Sequence, residues 1–248
     1  MQKQEKLQRY LELSEEVHSL ANEISEQATQ RLRTEYHTLT LRDRVLIGLA
    51  IKMYNSFESL VNDARQVRLE AIHHLKTLVE SYIYFHWVGH DTGDTRARLL
   101  FARVVDRKLA FFERQDPGYV EDQEYDIWKG AREESTKGLG DEWRKFRGRS
   151  LESLAADVGS ELKSWYQRAY RWASEPAHIN DLTEYMPLPN RPIVLGEAQT
   201  SLLWILVGFN FGLQIICNLL KNVSEIYGLG LDEKITMLQA KHAAIRDL

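Results

Sequence analysis

The chain has 248 residues, 44% of them hydrophobic and 27% charged, with a formal net charge of −4. At this length folding removes roughly 70–75% of the surface from water, so a core needs no metal or disulfide staple. Five prolines and fourteen glycines are too few for the turns of an all-β protein. The charge excludes the global basic bias of many nucleic-acid binders and leaves only local patches.

Gln2 to about Thr34 carries Leu7, Leu11, Val17, Leu20, Ile24 and Ala28 at helical spacing amid many charges, the pattern of an amphipathic helix. Thr40 with Asp43 three residues on forms a loose capping box. The helix it opens has an apolar line through Val45, Leu49, Met53, Phe57 and Leu60. Asn62 and Asp63 mark either a break or a capped continuation. The next helix, Ala64 to His90, carries Val67, Ala71, Leu75, Leu78, Tyr82, Phe85 and Val88. Gly89 to Gly93 is a turn, and Asp94 is placed to cap a helix with Leu100, Val104, Leu109 and Phe112 on one face.

Asp116-Pro117-Gly118 is a break. Val120 to about Lys137 is helical and highly charged, anchored by Tyr125 and Trp128. Gly138 to Ser150 is expected to be the least regular region. Ser150 caps a helix through Leu154, Val158, Leu162, Trp165 and Ala169 that approaches Arg171. Met186 to Pro192 is a proline-rich, extended loop. A long apolar helix from about Glu197 to Tyr227 ends at Gly228 and Gly230, and Asp232 starts the last helix.

Within the apolar helix, Ser201 to Leu220 approaches the length of a bilayer span. Asn210, Gln214 and Asn218 recur every four residues, a stripe that lipid would penalise, so the segment reads as a buried helix with no membrane partner. The stripe needs hydrogen-bond partners and could face His178 in a polar pocket. Gly208 and Gly212 form a GxxxG pair suited to a close crossing inside the bundle or at a dimer seam. The single cysteine, Cys217, lies in this run and reads as a small core residue. The polar stretch Met1 to Tyr10 is unlike a signal peptide, which points to the cytoplasm.

These elements predict an all-α, irregular bundle of about seven or eight helices with no sheet, as one domain over 1–248. An N-terminal helix occupies 1–38, the bundle core 40–228 and a C-terminal helix 231–248. The core comprises Leu41 to His90, Leu151 to Arg171 and Gln199 to Tyr227, with the first and last helices packing outside it or against a partner.

Arg171 and His178 are seven apart, which on a continuous helix returns to within about 20° of the same face. Such a pair can act on a phosphodiester, His178 moving a proton and Arg171 balancing charge on the phosphate oxygens. The plainer alternative is an Arg171–carboxylate pair and a hydrogen-bonded His178. His73, Lys76 and Glu80 share a helix face, and Glu80 could orient Arg171 or His178, or simply pair with Lys76. His86 and His90 have the spacing to share a metal, with Asp91 and Asp94 following, but no third ligand can be named; an aromatic helix end is the alternative. Arg144, Lys145, Arg147 and Arg149, interleaved with Trp143 and Phe146, are either a phosphate-binding run or a solvated loop. Phosphate-loop, nucleophile-elbow and paired-cysteine motifs are absent, and no cofactor is implied.

The segment Leu75 to Glu80, with Tyr170-x-x-x-Ser174-x-x-x-His178, resembles an uncharacterised bacterial all-α family known only as a domain of unknown function. That family is built around a basic residue four before a glutamate, and a tyrosine, serine and histidine at four-residue steps. The likeness covers about Ala50 to Tyr185, and Lys76 stands where arginine is the expected residue. It makes Lys76, Glu80, Tyr170 and Ser174 supporting residues. The Arg171-x6-His178 spacing also resembles the signature of HEPN-type domains, often dimeric helical bundles that include metal-independent ribonucleases of toxin–antitoxin and antiphage systems. Trp172 departs from the polar residue usual after the arginine. That resemblance implies RNA as substrate, Arg171 and His178 as the catalytic pair, and a homodimer. The competing expectation is a non-catalytic module that binds a partner protein or small ligand between its helices.

Overall fold

The computed structural model describes residues 3–114, 122–174 and 201–247. Among these residues the chain is all-helical with no strand, and it divides into ten helices rather than seven or eight. α1 spans Lys3–Glu35, followed by a short 3-10 turn at Tyr36–Thr38. α2 (Leu41–Arg65) begins at the expected capping box. The Thr40 hydroxyl accepts from the Asp43 N–H, and the Asp43 carboxylate accepts from the Thr40 N–H at 3.0 Å.

The break after α2 comes three residues beyond Asp63. The Asp63 carbonyl accepts from the N–H of Gln66 and of Arg68, while its carboxylate lies 3.0 Å from His74 Nε2. Val67 adopts φ +54 at this turn, a conformation that β-branched residues rarely take. α3 (Ala71–Gly89) follows and is buried along most of its length.

α4 (Thr95–Phe112) is capped differently from the expectation. Asp94 makes no side-chain cap. Its carboxylate instead accepts from the Arg42 N–H at 3.0 Å, tying the start of α2 to this turn. Asp91 takes over, accepting from the N–H of Gly93 and of Arg96. α5 spans Asp122–Thr136.

Gly138 to Ser150, expected to be irregular, contains the helix α6 (Gly140–Arg147). Phe146 is its buried anchor and stacks on Trp87 with ring centroids 5.1 Å apart. One anchor fixes a two-turn helix here, although charged residues hide its periodicity. Ser150 caps α7 (Leu151–Val158) as expected. The chain then breaks at Gly159, whose φ of +152 few side-chain-bearing residues adopt. α8 therefore starts afresh at Ser160. It runs as an α stretch Ser160–Trp165, a π turn Tyr166–Tyr170 and a last α turn Arg171–Ser174.

α9 (Ser201–Tyr227) is the central helix, touching α1, α2, α3 and α10 (Asp232–Arg246). By length and composition it could cross a membrane. Here it buries Ile205, Phe209, Leu213, Ile216 and Leu220 among those helices. Gly208 and Gly212 face the bundle interior: a Cβ on Gly208 would sit 2.9 Å from Ile72 Cδ1, and one on Gly212 3.3 Å from Leu60 Cδ1. The amide stripe is spent partly on helix pairing. Asn218 donates to the Tyr82 hydroxyl and accepts from Gln239, each at 3.3 Å.

α1 and α10 belong to the continuous core rather than outside it. Tyr10 stacks on Phe209, and Lys234–Glu23 and Lys241–Glu16 ion pairs join the two outer helices. The sequence pattern suggested otherwise because both helices carry wide charged faces.

Candidate functional site

Lys76 and Glu80 sit one turn apart on α3, half-buried, beside the π turn of α8. They form no ion pair with each other among the described residues. The Lys76 ammonium lies 5.9 Å from the centre of the Tyr170 ring, the distance of a cation–π contact. Burial raises the Tyr170 hydroxyl pKa, and the Glu80 charge is the next contribution in the same direction. A widened helical turn presents Tyr170 here, and such π turns recur at functional sites. Tyr166 stacks on Tyr170 at 5.1 Å. Ser174 donates to the Tyr170 carbonyl at 2.8 Å, so in this arrangement its hydroxyl serves the helix.

Arg171 is exposed at the end of this helix. His178 lies outside the described residues, as do the proline-rich loop and the Asp116-Pro117-Gly118 break. Lys76, Glu80 and Tyr170 are thus brought together, and Ser174 lies one turn beyond.

The basic run divides in two. Arg144 and Lys145 are exposed, Arg144 pairing with Asp141 at 2.8 Å. Arg147 is exposed, 3.4 Å from Asp106 and 5.9 Å from the Trp143 ring. Arg149 is committed to the protein: its guanidinium pairs with Asp157 at 2.5 Å and donates to the Ser153 carbonyl at 3.0 Å. Asp157 also accepts from Trp87 Nε1, and these donors hold its carboxyl below the usual range, the Arg149 hydrogen bond most of all.

Sequence reasoning missed the residues that join the two halves. Arg103 and Arg107, four apart on α4, line a polar cleft of about 370 Å³ with Arg132, Trp143 and Arg147. Both arginines act electrostatically on Tyr84, whose pKa burial raises. Arg103, Arg107, Arg132 and Arg147 form an arginine track along this cleft, shared with Asp106 and Glu113, and Arg107 acts electrostatically on Tyr170. Its signal in the sequence is the Arg103/Arg107 i,i+4 spacing, which the apolar line of α4 overshadows.

Residues 43–190 match the family of unknown function DUF5677. The chain belongs to this family. The DUF5677 match contains the whole track, along with Lys76, Glu80, Tyr170, Ser174 and His178, and leaves α1, α9 and α10 outside. No curated protein and no solved structure matches the chain. The HEPN-type likeness gains no support from these comparisons.

Among the described residues no group of three or more histidine, cysteine and acidic side chains is placed to hold a metal. His86 is packed edge-on against Tyr82 with centroids 4.4 Å apart, and its pKa is lowered to about 4 by burial and then by His90. Asp91 and Asp94 are spent on backbone N–H groups. Cys217 is buried, and burial pushes its thiol up to about 12.

Proposed function

We propose that this chain acts on RNA, as an endoribonuclease of a bacterial defence or toxin–antitoxin system. The observation that supports this reading is the track: Arg107 and Arg147, both exposed, share a cleft with Trp143, and Arg107 acts electrostatically on Tyr170, whose ring lies 5.9 Å from the Lys76 ammonium. Cations set along a line neutralise successive phosphates, and partly exposed aromatic faces stack bases without demanding a sequence.

Arg171 follows Tyr170 directly in the chain and is exposed, with His178 seven residues further on in the sequence. In the reaction proposed, the RNA 2′-hydroxyl gives its proton to His178 and its oxygen attacks the adjacent phosphorus. The 5′-oxygen leaves, taking up a proton from solvent, and a 2′,3′-cyclic phosphate remains. Arg171 balances the charge that builds on the non-bridging oxygens.

The test is cleavage of a mixed RNA pool in chelator by wild type, Arg171→Ala, His178→Ala and Arg107→Ala, each checked for helicity. The His178 change should lower cleavage by about 10²–10⁴-fold with RNA binding retained. Arg107→Ala should weaken binding and lower the salt slope by about 1. RNA binding without cleavage would sink the catalytic half; no binding at low salt would sink the action on RNA altogether and favour the non-catalytic module that binds a partner protein or small ligand.

A further inference from the structure

A second site lies on the opposite type of surface. α1, α2 and the last turns of α9 enclose a cleft of about 320 Å³ with Phe85 at its floor. The inner wall is core: Ile24, Leu46, Phe85, Leu219 and Leu220 are all buried. The slot follows α1 from Ala21 to Leu32 and α2 from Asp43 to Tyr54, roughly 16 Å of helix each. At one end Tyr54 donates to Glu58 at 3.0 Å, and His18 Nδ1 lies 2.7 Å from the same carboxylate, joining α1 to α2.

Charge chooses the occupant. Among the described residues Asp43 is the one acidic or basic side chain in the lining, and its carboxylate is held by the Thr40 N–H and hydroxyl at 3.0 and 2.7 Å. The α1 rim is polar and uncharged, with Asn22, Ser25 and Thr29 exposed in a line of i, i+3, i+7 spacing. A hydrocarbon body with a neutral polar end suits such a lining: a carboxylate would meet only the like charge of Asp43, and that group is already held at the start of α2 by Thr40.

Among the described residues the apolar rim offers few anchors to a second copy. Ile51 and Ile226 are its exposed large hydrophobics, 57% and 59% exposed, and the remaining ones lie at other places on the molecule. A stable dimer buries about 800 Å² from each partner.

We propose that this cleft binds a neutral single-chain lipid, its alkyl chain between α1, α2 and α9 and its uncharged polar end at Asn22, Ser25 and Thr29. The site is separate from the arginine track, so it stands or falls independently of the action on RNA.

The test titrates the full chain with N-phenyl-1-naphthylamine, a neutral apolar fluorophore, and displaces it with 1-decanol. Saturable one-to-one binding and displacement are expected. Ala50→Trp, which fills the slot, and Ile51→Glu, which charges its exposed mouth, should each weaken binding at least tenfold at unchanged helicity. Should Ala50→Trp fail to fold, Ile51→Glu alone decides. Non-saturable binding, equal binding in the folded variants, or displacement of the probe only through concentration-dependent self-association would overturn the proposal.

Discussion

The two flanks of the bundle are built on opposite terms. On one, α9 lies among α1, α2, α3 and α10 with nearly every inward side chain apolar, and two glycines let the helices approach. On the other, α4, α5 and α6 meet across arginines, with a few aromatic anchors such as Phe146 and Phe112 beneath. The Arg103 guanidinium lies 5.4 Å from the Phe146 ring centre, so even the anchor of that flank is covered by charge. Packing sets stability on the first flank; on the second, cations are displayed at little structural expense. Substitutions should therefore separate stability from RNA binding according to flank.

The largest effect belongs to the packed flank. Gly208→Leu places new atoms where a Cβ alone already meets Ile72, itself fully buried. Overpacking of this kind costs about 1–3 kcal/mol, against which the better helix propensity of leucine returns under about 1 kcal/mol. A urea denaturation midpoint below that of wild type is expected. The same change at Gly48, exposed on α2 with nothing within 4 Å of its Cβ position, is the control and should not destabilise. Equal midpoints for the two variants would break the contrast.

The next effect is a pH dependence on the same flank. His86 is kept neutral by burial, its folded pKa about 4 against 6.5 for the free group. The unfolded chain thus binds the proton first, and stability is lost as pH falls from 6.5 toward 4. With one pKa unit worth about 1.4 kcal/mol, the loss between pH 7 and pH 4.5 is about 2 kcal/mol. His86→Phe should lack this part of the acid sensitivity. An identical pH profile for wild type and variant, by denaturant titration at both pH values, would show that His86 is solvated.

Local chemistry was legible in the sequence and tertiary arrangement was not. The Thr40–Asp43 box, the Ser150 cap and the end of the apolar helix before Gly228 each depend on residues within a turn of one another, and each is where the pattern put it. The capping of α4 misled because Asp91 and Asp94 are chemically equivalent candidates, and a distant group, the Arg42 N–H, decides between them. The helix through Leu162 and Trp165 carries a break and a π turn that keep its apolar residues nearly in register, so periodicity hides both. At the candidate site, family resemblance singled out Lys76, Glu80 and Tyr170. Their meeting across α3 and α8 is a long-range fact, as is the bridge that Arg103 and Arg107 make to the basic run. Arg149 looked like its neighbours in sequence, yet Asp157 on α7 turns it inward.

The smallest stability effect should accompany a clear loss of binding, at Arg147. Its guanidinium shares Asp106 with Arg132, at 3.4 Å and 2.7 Å. Asp106 is well shielded and Arg147 is 61% exposed, so removing Arg147 leaves the carboxylate with its nearer partner and uncovers little apolar surface. Surface changes of this type stay within about 0.5 kcal/mol. A phosphate contact, in contrast, is one released counterion, and its loss lowers the salt slope of binding by about 1 whatever the RNA sequence. Arg147→Ala should therefore keep the wild-type denaturation midpoint while its RNA affinity falls and depends less steeply on salt. The double variant with Arg132→Ala strands Asp106, and should lose stability beyond the sum of the single changes. An additive double variant would mean that water, rather than the arginines, satisfies Asp106, and that the cations of this flank are held more loosely than their distances suggest.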